Sequence, residues 1–275
     1  MIHIATVHFE NKKWISIQLE NIKKYTQEPY KLYAFTTNCG KIRKKTKKHF
    51  EFIQETPIID HGKKLNILAN KMCENAKPND TIIFIDADAW PIADYIPMIR
   101  NKLPKSKLIA IRRDDNDRYK FPHPCFCATT PETWRQINGD WIKGDTIDVG
   151  CTISKRLRKS NIIWHPLFRS NKYNAHPLLF GIYNDLIYHH GAGCRNPRTR
   201  VDIHVLRRVR RNTINPYVLP KEVSGAINKM SDFVFKRLVE TPEFINVFKH
   251  GKNMDGKKEL ERLSKKYRQE LYKKV

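Results

Sequence analysis

The chain has 275 residues, 40% of them hydrophobic and 11% aromatic, enough to bury one large core or two small ones and too apolar for a disordered chain. No apolar run reaches the roughly 18 residues a membrane span needs, and Met1-Ile-His-Ile-Ala-Thr-Val-His8 reads as a strand rather than a secretory leader. The formal charge of +24 predicts attraction to something acidic, whether nucleic acid, an anionic membrane face or a phosphorylated substrate.

In chain order, residues 2–9 read as a first strand. Trp14, Ile15, Ile17, Leu19 and Ile22 then give a helix ending near Tyr25, and residues 30–37 a second strand before the turn Asn38-Cys39-Gly40. Residues 41–48 hold six basic side chains in eight and read as a solvated loop. A short third strand is expected over residues 50–53. From Asp60-His61-Gly62 onward, Leu65, Leu68, Ala69, Met72 and Ala76 fall at helical spacing.

The next stretch organises the rest. Thr81-Ile-Ile-Phe-Ile85 is uncharged, β-branched or aromatic, and bounded by Pro78-Asn-Asp80 and Pro91, as a strand buried on both faces should be. It ends in Asp86-Ala87-Asp88. Ligands of open α/β sheets bind at the carboxyl ends of the strands. Two carboxylates at such a place repel unless a cation sits beside them, and a hard divalent ion with positions left open for phosphate oxygens fits. The competing reading is a turn and helix cap ahead of Pro91.

Beyond it, residues 91–100 are expected to form a short helix stopped by Pro104, residues 108–111 a strand, and residues 112–120 a polar loop able to line or cover the site. A further strand runs through Pro122-His-Pro-Cys-Phe-Cys-Ala-Thr-Thr130, and Pro131-Glu132 opens a helix. Gly144-Asp145-Thr-Ile-Asp148-Val-Gly150 precedes a helix to about Arg158. A short strand over residues 162–164 and residues 183–188 follow, then His189-His190-Gly191. Alternating strands and helices of this kind predict a mostly parallel sheet with helices on both faces and right-handed connections.

A first strand, a hydrophobic strand ending in Asp86-Ala87-Asp88 before Trp90-Pro91, an acid opening a later helix, and a late histidine before glycine together resemble a GT-A glycosyltransferase of the D-x-D type. The resemblance covers roughly residues 1–195. It implies an α/β, Rossmann-like catalytic domain over residues 1–200, with a nucleotide-sugar half to about residue 100 and an acceptor half after it. The implied reaction is transfer of a hexose or pentose from a nucleotide-sugar, UDP- or GDP-linked, to a hydroxyl of a glycan or glycolipid. By the same resemblance, Asp86 would contact the donor ribose or sugar and Asp88 would hold Mn²⁺ or Mg²⁺ on the diphosphate. His189 or His190 would complete the metal site. Thr6, Val7 and His8 at the end of the first strand, and His61, Lys63 and Asn66 at a helix start that also favours phosphate, would touch the donor, as would Ala87. The catalytic base would be Asp148 or Asp145, with Asp140 outside them and an inverting outcome favoured; each of the first two is also placed to be a helix cap.

Residues 201–275 are expected to be a basic, mainly helical extension. Seven arginines between Arg195 and Arg211 suit phosphate or carboxylate recognition. Leu260, Leu263, Tyr267 and Leu271 form one stripe on a charged helix, which would pack on the domain, lie on an anionic membrane surface near a lipid-linked acceptor, or meet a partner. The six cysteines (Cys39, Cys73, Cys125, Cys127, Cys151, Cys194) form no C-x-x-C pair, so free thiols in a reducing, cytoplasmic setting are expected. A nucleic-acid binder is disfavoured because the positive charge is spread along the chain with no nucleic-acid-binding signature. A nucleotidyltransferase using the same two carboxylates would normally carry a third and a second metal.

Overall fold

The computed structural model describes residues 1–112, 121–143, 148–168, 170 and 181–189. β1 (Ile2–Phe9), α1 (Lys13–Tyr25), β2 (Tyr30–Thr37), α2 (Lys44–Lys47) and β3 (Phe52–Glu55) lead into α3 (His61–Asn75) and β4 (Thr81–Asp86). β5 (Ala89–Pro91), α4 (Ile96–Ser106), β6 (Leu108–Arg112), β7 (Pro122–Thr129) and α5 (Pro131–Gln136) follow. The described chain closes with α6 (Cys151–Lys159), β8 (His165–Leu167), β9 (Gly181–Tyr183) and β10 (Ile187–His189). Seven strands form one sheet in the order β3-β2-β1-β4-β7-β6-β8, and β5-β10-β9 form a second, small one. In the large sheet only β7 runs against the others, antiparallel to both β4 and β6. This is the mostly parallel, helix-flanked sheet the sequence predicts.

Both faces are covered. Ile2, Ile4, Ile83, Ile85 and Ile109 pack with Ile22 of α1 and Ile96, Ile99 and Leu103 of α4. On the other side Ala5, Val7, Ile82, Phe84 and Ala110 meet Leu65, Leu68 and Met72 of α3, Trp134 of α5, and Ile153 and Leu157 of α6. β1 and β4 lie in the middle and are buried along nearly their whole length, which is why they read as continuous apolar runs rather than alternating ones.

Several boundaries differ from expectation, each for a physical reason. The helix expected over residues 91–100 is instead β5 followed by α4, because Trp90 and Pro91 pair with Tyr188 and Ile187 of β10. Pro104 lies inside α4 rather than stopping it; it sits in the last turn, and Lys107, with φ 58°, ends the helix. β3 starts two residues later than expected and β8 three. The basic stretch carries the short α2 with no buried residue. Residues 183–188 span the β9–β10 hairpin: Tyr183 ends β9, Ile187 and Tyr188 belong to β10, and in the turn between them Asn184 and Asp185 both take positive φ while the Leu186 N–H donates to the Tyr183 carbonyl (2.9 Å), the geometry Asn and Asp tolerate.

Candidate active site

β4 ends at Asp86, and Ala87 and Asp88 turn the chain into β5. A helix side chain fixes this turn. Gln18 of α1 donates from Nε2 to the Asp86 carbonyl (2.7 Å) and to the Ala89 carbonyl (2.8 Å), bracketing the Asp-Ala-Asp segment. Beneath it Trp90 packs between Trp14 and Tyr188, with ring centroids 5.6 and 4.7 Å away. The turn thus rests on a buried aromatic platform.

β-pairing supplies the third group. His189 of β10 lies opposite Ala89 of β5, which brings its Nε2 to 3.5 Å from an Asp88 oxygen and 4.0 Å from an Asp86 oxygen. One ligand atom from each of Asp86, Asp88 and His189 falls within 4.8 Å of the others. Octahedral bonds of about 2.1 Å put neighbouring ligands about 3 Å apart and opposite ones about 4.2 Å apart, so these separations fit a small divalent ion after slight closure. Two carboxylate oxygens and an imidazole nitrogen are also a donor set able to hold a divalent ion with coordination positions left for a ligand. Burial works against charge on the His189 imidazole, yet Cys125 and Asp88 hold its pKa well above the ordinary value. A field that keeps a proton on a buried ring favours any cation there, and a metal would displace that proton.

A second histidine borders Asp86. His61, the first residue of α3, places Nε2 3.0 Å from Asp86 Oδ1. Its position follows from a close approach: a Cβ on the neighbouring Gly62 would lie 2.2 Å from the Trp141 carbonyl oxygen, so only glycine lets the helix start sit this low. Asp60 caps that start by accepting the Lys63 N–H (2.6 Å).

The remaining expected residues fall as follows. Thr6, Val7 and His8 are all buried, so none faces solvent at the mouth of the site. His8 is fully enclosed; burial pushes its pKa down to about 3, with Asp88 offsetting part of the effect. Lys63 is exposed on α3. Both ends of the Asn66 amide are engaged, donating to Asp140 (2.6 Å) and accepting from the Trp141 N–H (2.8 Å). Asp140 also pairs with Arg156 (3.0 Å), which makes it a structural tie. Asp148 does not cap α6; Gly150 occupies the N-cap position and makes no side-chain capping bond. Its carboxylate is two-fifths exposed. Asp145, His190, the loop 113–120, the arginines between Arg195 and Arg211 and the basic extension lie outside the described residues.

Sequence reasoning missed Gln18, although a polar residue four positions from both Trp14 and Ile22 on a buried helix stripe was a signal. It also missed His123, whose position beside the site depends on β7 running antiparallel next to β4. Among the described residues, no helix is long and apolar enough to cross a membrane, and five cysteines are free and buried.

No family model matches the chain, and no curated protein does. Solved structures do show likeness. The mannosyltransferase PcManGT from Pyrobaculum calidifontis, in complex with GDP-Man and Mn²⁺, is 11% identical over 91% of this chain and 79% of its own, with a TM-score of 0.46. TarS of S. aureus, residues 1–349, is 11% identical over 98% of this chain and 91% of its own, at 0.43. The galactosyltransferase LgtC, in complex with donor and acceptor sugar analogs, is 9% identical over 81% of this chain and 99% of its own, also at 0.43. At this low level of similarity the chain's activity is read from its own site.

Proposed function

We propose that the protein is a metal-dependent glycosyltransferase that moves a sugar from a nucleoside diphosphate-sugar to a hydroxyl of a glycan or glycolipid. The observation that carries this reading is the Asp86–Asp88–His189 cluster at the carboxyl end of β4. Such a place in an α/β sheet receives ligands, and three groups that would repel or trap charge by themselves suit a cation and the anion it carries.

Asp88 and His189, with Asp86 beside them, would hold a divalent ion, Mn²⁺ or Mg²⁺, which when bound would supply positive charge to a departing diphosphate. His61 keeps Asp86 oriented through its 3.0 Å contact and lines the donor side. Asp148 takes the proton from the acceptor hydroxyl as the new bond to the sugar forms and the bond to the diphosphate breaks, with inversion at the sugar carbon. The high positive charge favours approach of phosphorylated donors and of an acceptor at an anionic membrane surface.

The test is release of nucleoside diphosphate from UDP-, GDP-, dTDP- and ADP-linked hexoses with and without Mn²⁺. The expected outcome is metal-dependent release from one nucleotide class, lost by at least about a hundredfold in Asp88→Ala. Full activity in that variant would overturn the site, and release of pyrophosphate instead would identify a nucleotidyltransferase.

A further inference from the structure

A second histidine–carboxylate pair stands beside the cluster. His123 lies on β7, almost wholly buried, with its ring centroid 6.3 Å from that of His189. Its Nδ1 accepts the main-chain N–H of Cys125 (3.1 Å). A neutral imidazole that accepts through Nδ1 carries its proton on Nε2, and Nε2 is 3.9 Å from Oδ2 of Asp148. The other Asp148 oxygen, Oδ1, accepts the Val149 N–H (2.8 Å). The carboxylate is therefore held by the backbone on one side and faced by a fixed N–H on the other.

The backbone is shaped for this approach. Gly150 has φ +100°, and a Cβ there would lie 2.0 Å from the Pro122 carbonyl oxygen. Only glycine allows the start of α6 to press against the start of β7, which sets residues 148–150 against residues 122–123. The His123 Nδ1 is engaged within its own strand, and its Nε2 faces the Asp148 carboxylate.

We propose that His123 is a positioning residue for Asp148: its Nε2–H aims the carboxylate at the acceptor hydroxyl. This rests on the reading of Asp148 as the base. In that step the acceptor O–H gives its proton to Asp148, the acceptor oxygen bonds the sugar carbon, and the diphosphate leaves with the electron pair of the broken bond. Apart from substrate the 3.9 Å gap is longer than a hydrogen bond, and closure on the acceptor shortens it, as catalytic contacts commonly do.

Two measurements test the pairing, and only one needs turnover. Imidazole ¹⁵N NMR of the wild-type chain should show His123 as the Nε2–H tautomer, its signal assigned by loss in His123→Gln, and Asp148→Asn should move that Nε2 resonance. The kinetic test compares two variants. Gln places a donor near the Nε2 position, whereas Asn keeps only the acceptor near Nδ1. Nucleoside diphosphate release should fall at least about tenfold in kcat for His123→Asn, with the Gln variant retaining more, and with Mn²⁺ binding and donor KM unchanged in both. A purely structural role would leave Asn at least as active as Gln, because Asn preserves the bond within the strand. An Nδ1–H tautomer, an unmoved Nε2 resonance in Asp148→Asn, or equal kcat in the two variants would overturn the proposal. If no nucleotide-sugar is turned over by the wild-type chain, the glycosyltransferase reading fails and the NMR result alone decides whether the two side chains are coupled.

Discussion

Asp86 and Asp88 are two residues apart and have different surroundings. Asp86 lies between His61 and His189, while Asp88 is nearer His189 and more buried. Gln18 holds the turn that separates them. Replacing it with Leu keeps the volume but leaves two backbone carbonyls without that donor, a cost on the order of 2 kcal/mol or more. A lower melting temperature together with weaker Mn²⁺ binding is expected from calorimetry of Gln18→Leu. Weaker stability with unchanged Mn²⁺ binding would show that the turn keeps its shape without the amide. Gln18 was visible in the sequence only as a polar break in an apolar stripe. Asp86 and Asp88 were legible because their strand is hydrophobic on both faces and ends where charge is costly. His189 was legible as a late histidine, but its placement was not, because it depends on pairing with Ala89 a hundred residues upstream.

At the scale of elements, the local pattern was enough wherever burial is continuous. β1, β2 and β4, the Asp60-capped α3 and the Pro131-opened α5 fall where their sequences indicate. β5 and the β9–β10 hairpin were not legible, because three-residue strands gain their stability from partners distant in sequence rather than from propensity. Helix placement has its own test. Gly62→Ala drives a Cβ to within 2.2 Å of the Trp141 carbonyl oxygen, so α3 must shift and carry His61 away from Asp86. Loss of stability is expected, by about 1–3 kcal/mol, with a change in the His61 imidazole signals by NMR. An Ala variant of wild-type stability with His61 unmoved would contradict the close approach. In the core, Phe84 meets Trp134 and Trp141 with centroids 5.0 and 5.2 Å away, and Phe84→Ala should cost about 3–5 kcal/mol in urea unfolding.

For the whole molecule, buried histidines contribute to the response to acid, alongside the Glu28 and Asp80 carboxylates that their partners hold below the usual range. His8 is pushed down to about 3, and burial also lowers His3 although Asp80 opposes it. In the unfolded chain both take a proton near pH 6.5. Below that pH the unfolded state binds more protons, so the stability these neutral rings allow is present above 6.5 and lost as pH falls, up to about 1.4 kcal/mol per pH unit for His8 until its folded value is reached. His189 has the opposite sign: its contribution is full below 6.5 and lost as pH rises through its raised folded value. Between pH 6 and pH 4, therefore, His189 adds no slope while His8 and His3 do. The urea midpoint should fall across that window, and a flat midpoint would contradict the neutral, buried assignment of His8.

Thermal melting of the wild-type chain and of Asp88→Ala, each with UDP or GDP in the presence and absence of Mn²⁺, tests the central claim most directly. Ligand at about a hundred times its dissociation constant stabilises a fold by about 2.7 kcal/mol, a shift of several degrees for a chain of this size. The account predicts that shift for one nucleoside diphosphate only when Mn²⁺ is present, and none in Asp88→Ala. An equal shift in the variant, or stabilisation by oligonucleotides and by no nucleoside diphosphate, would contradict it.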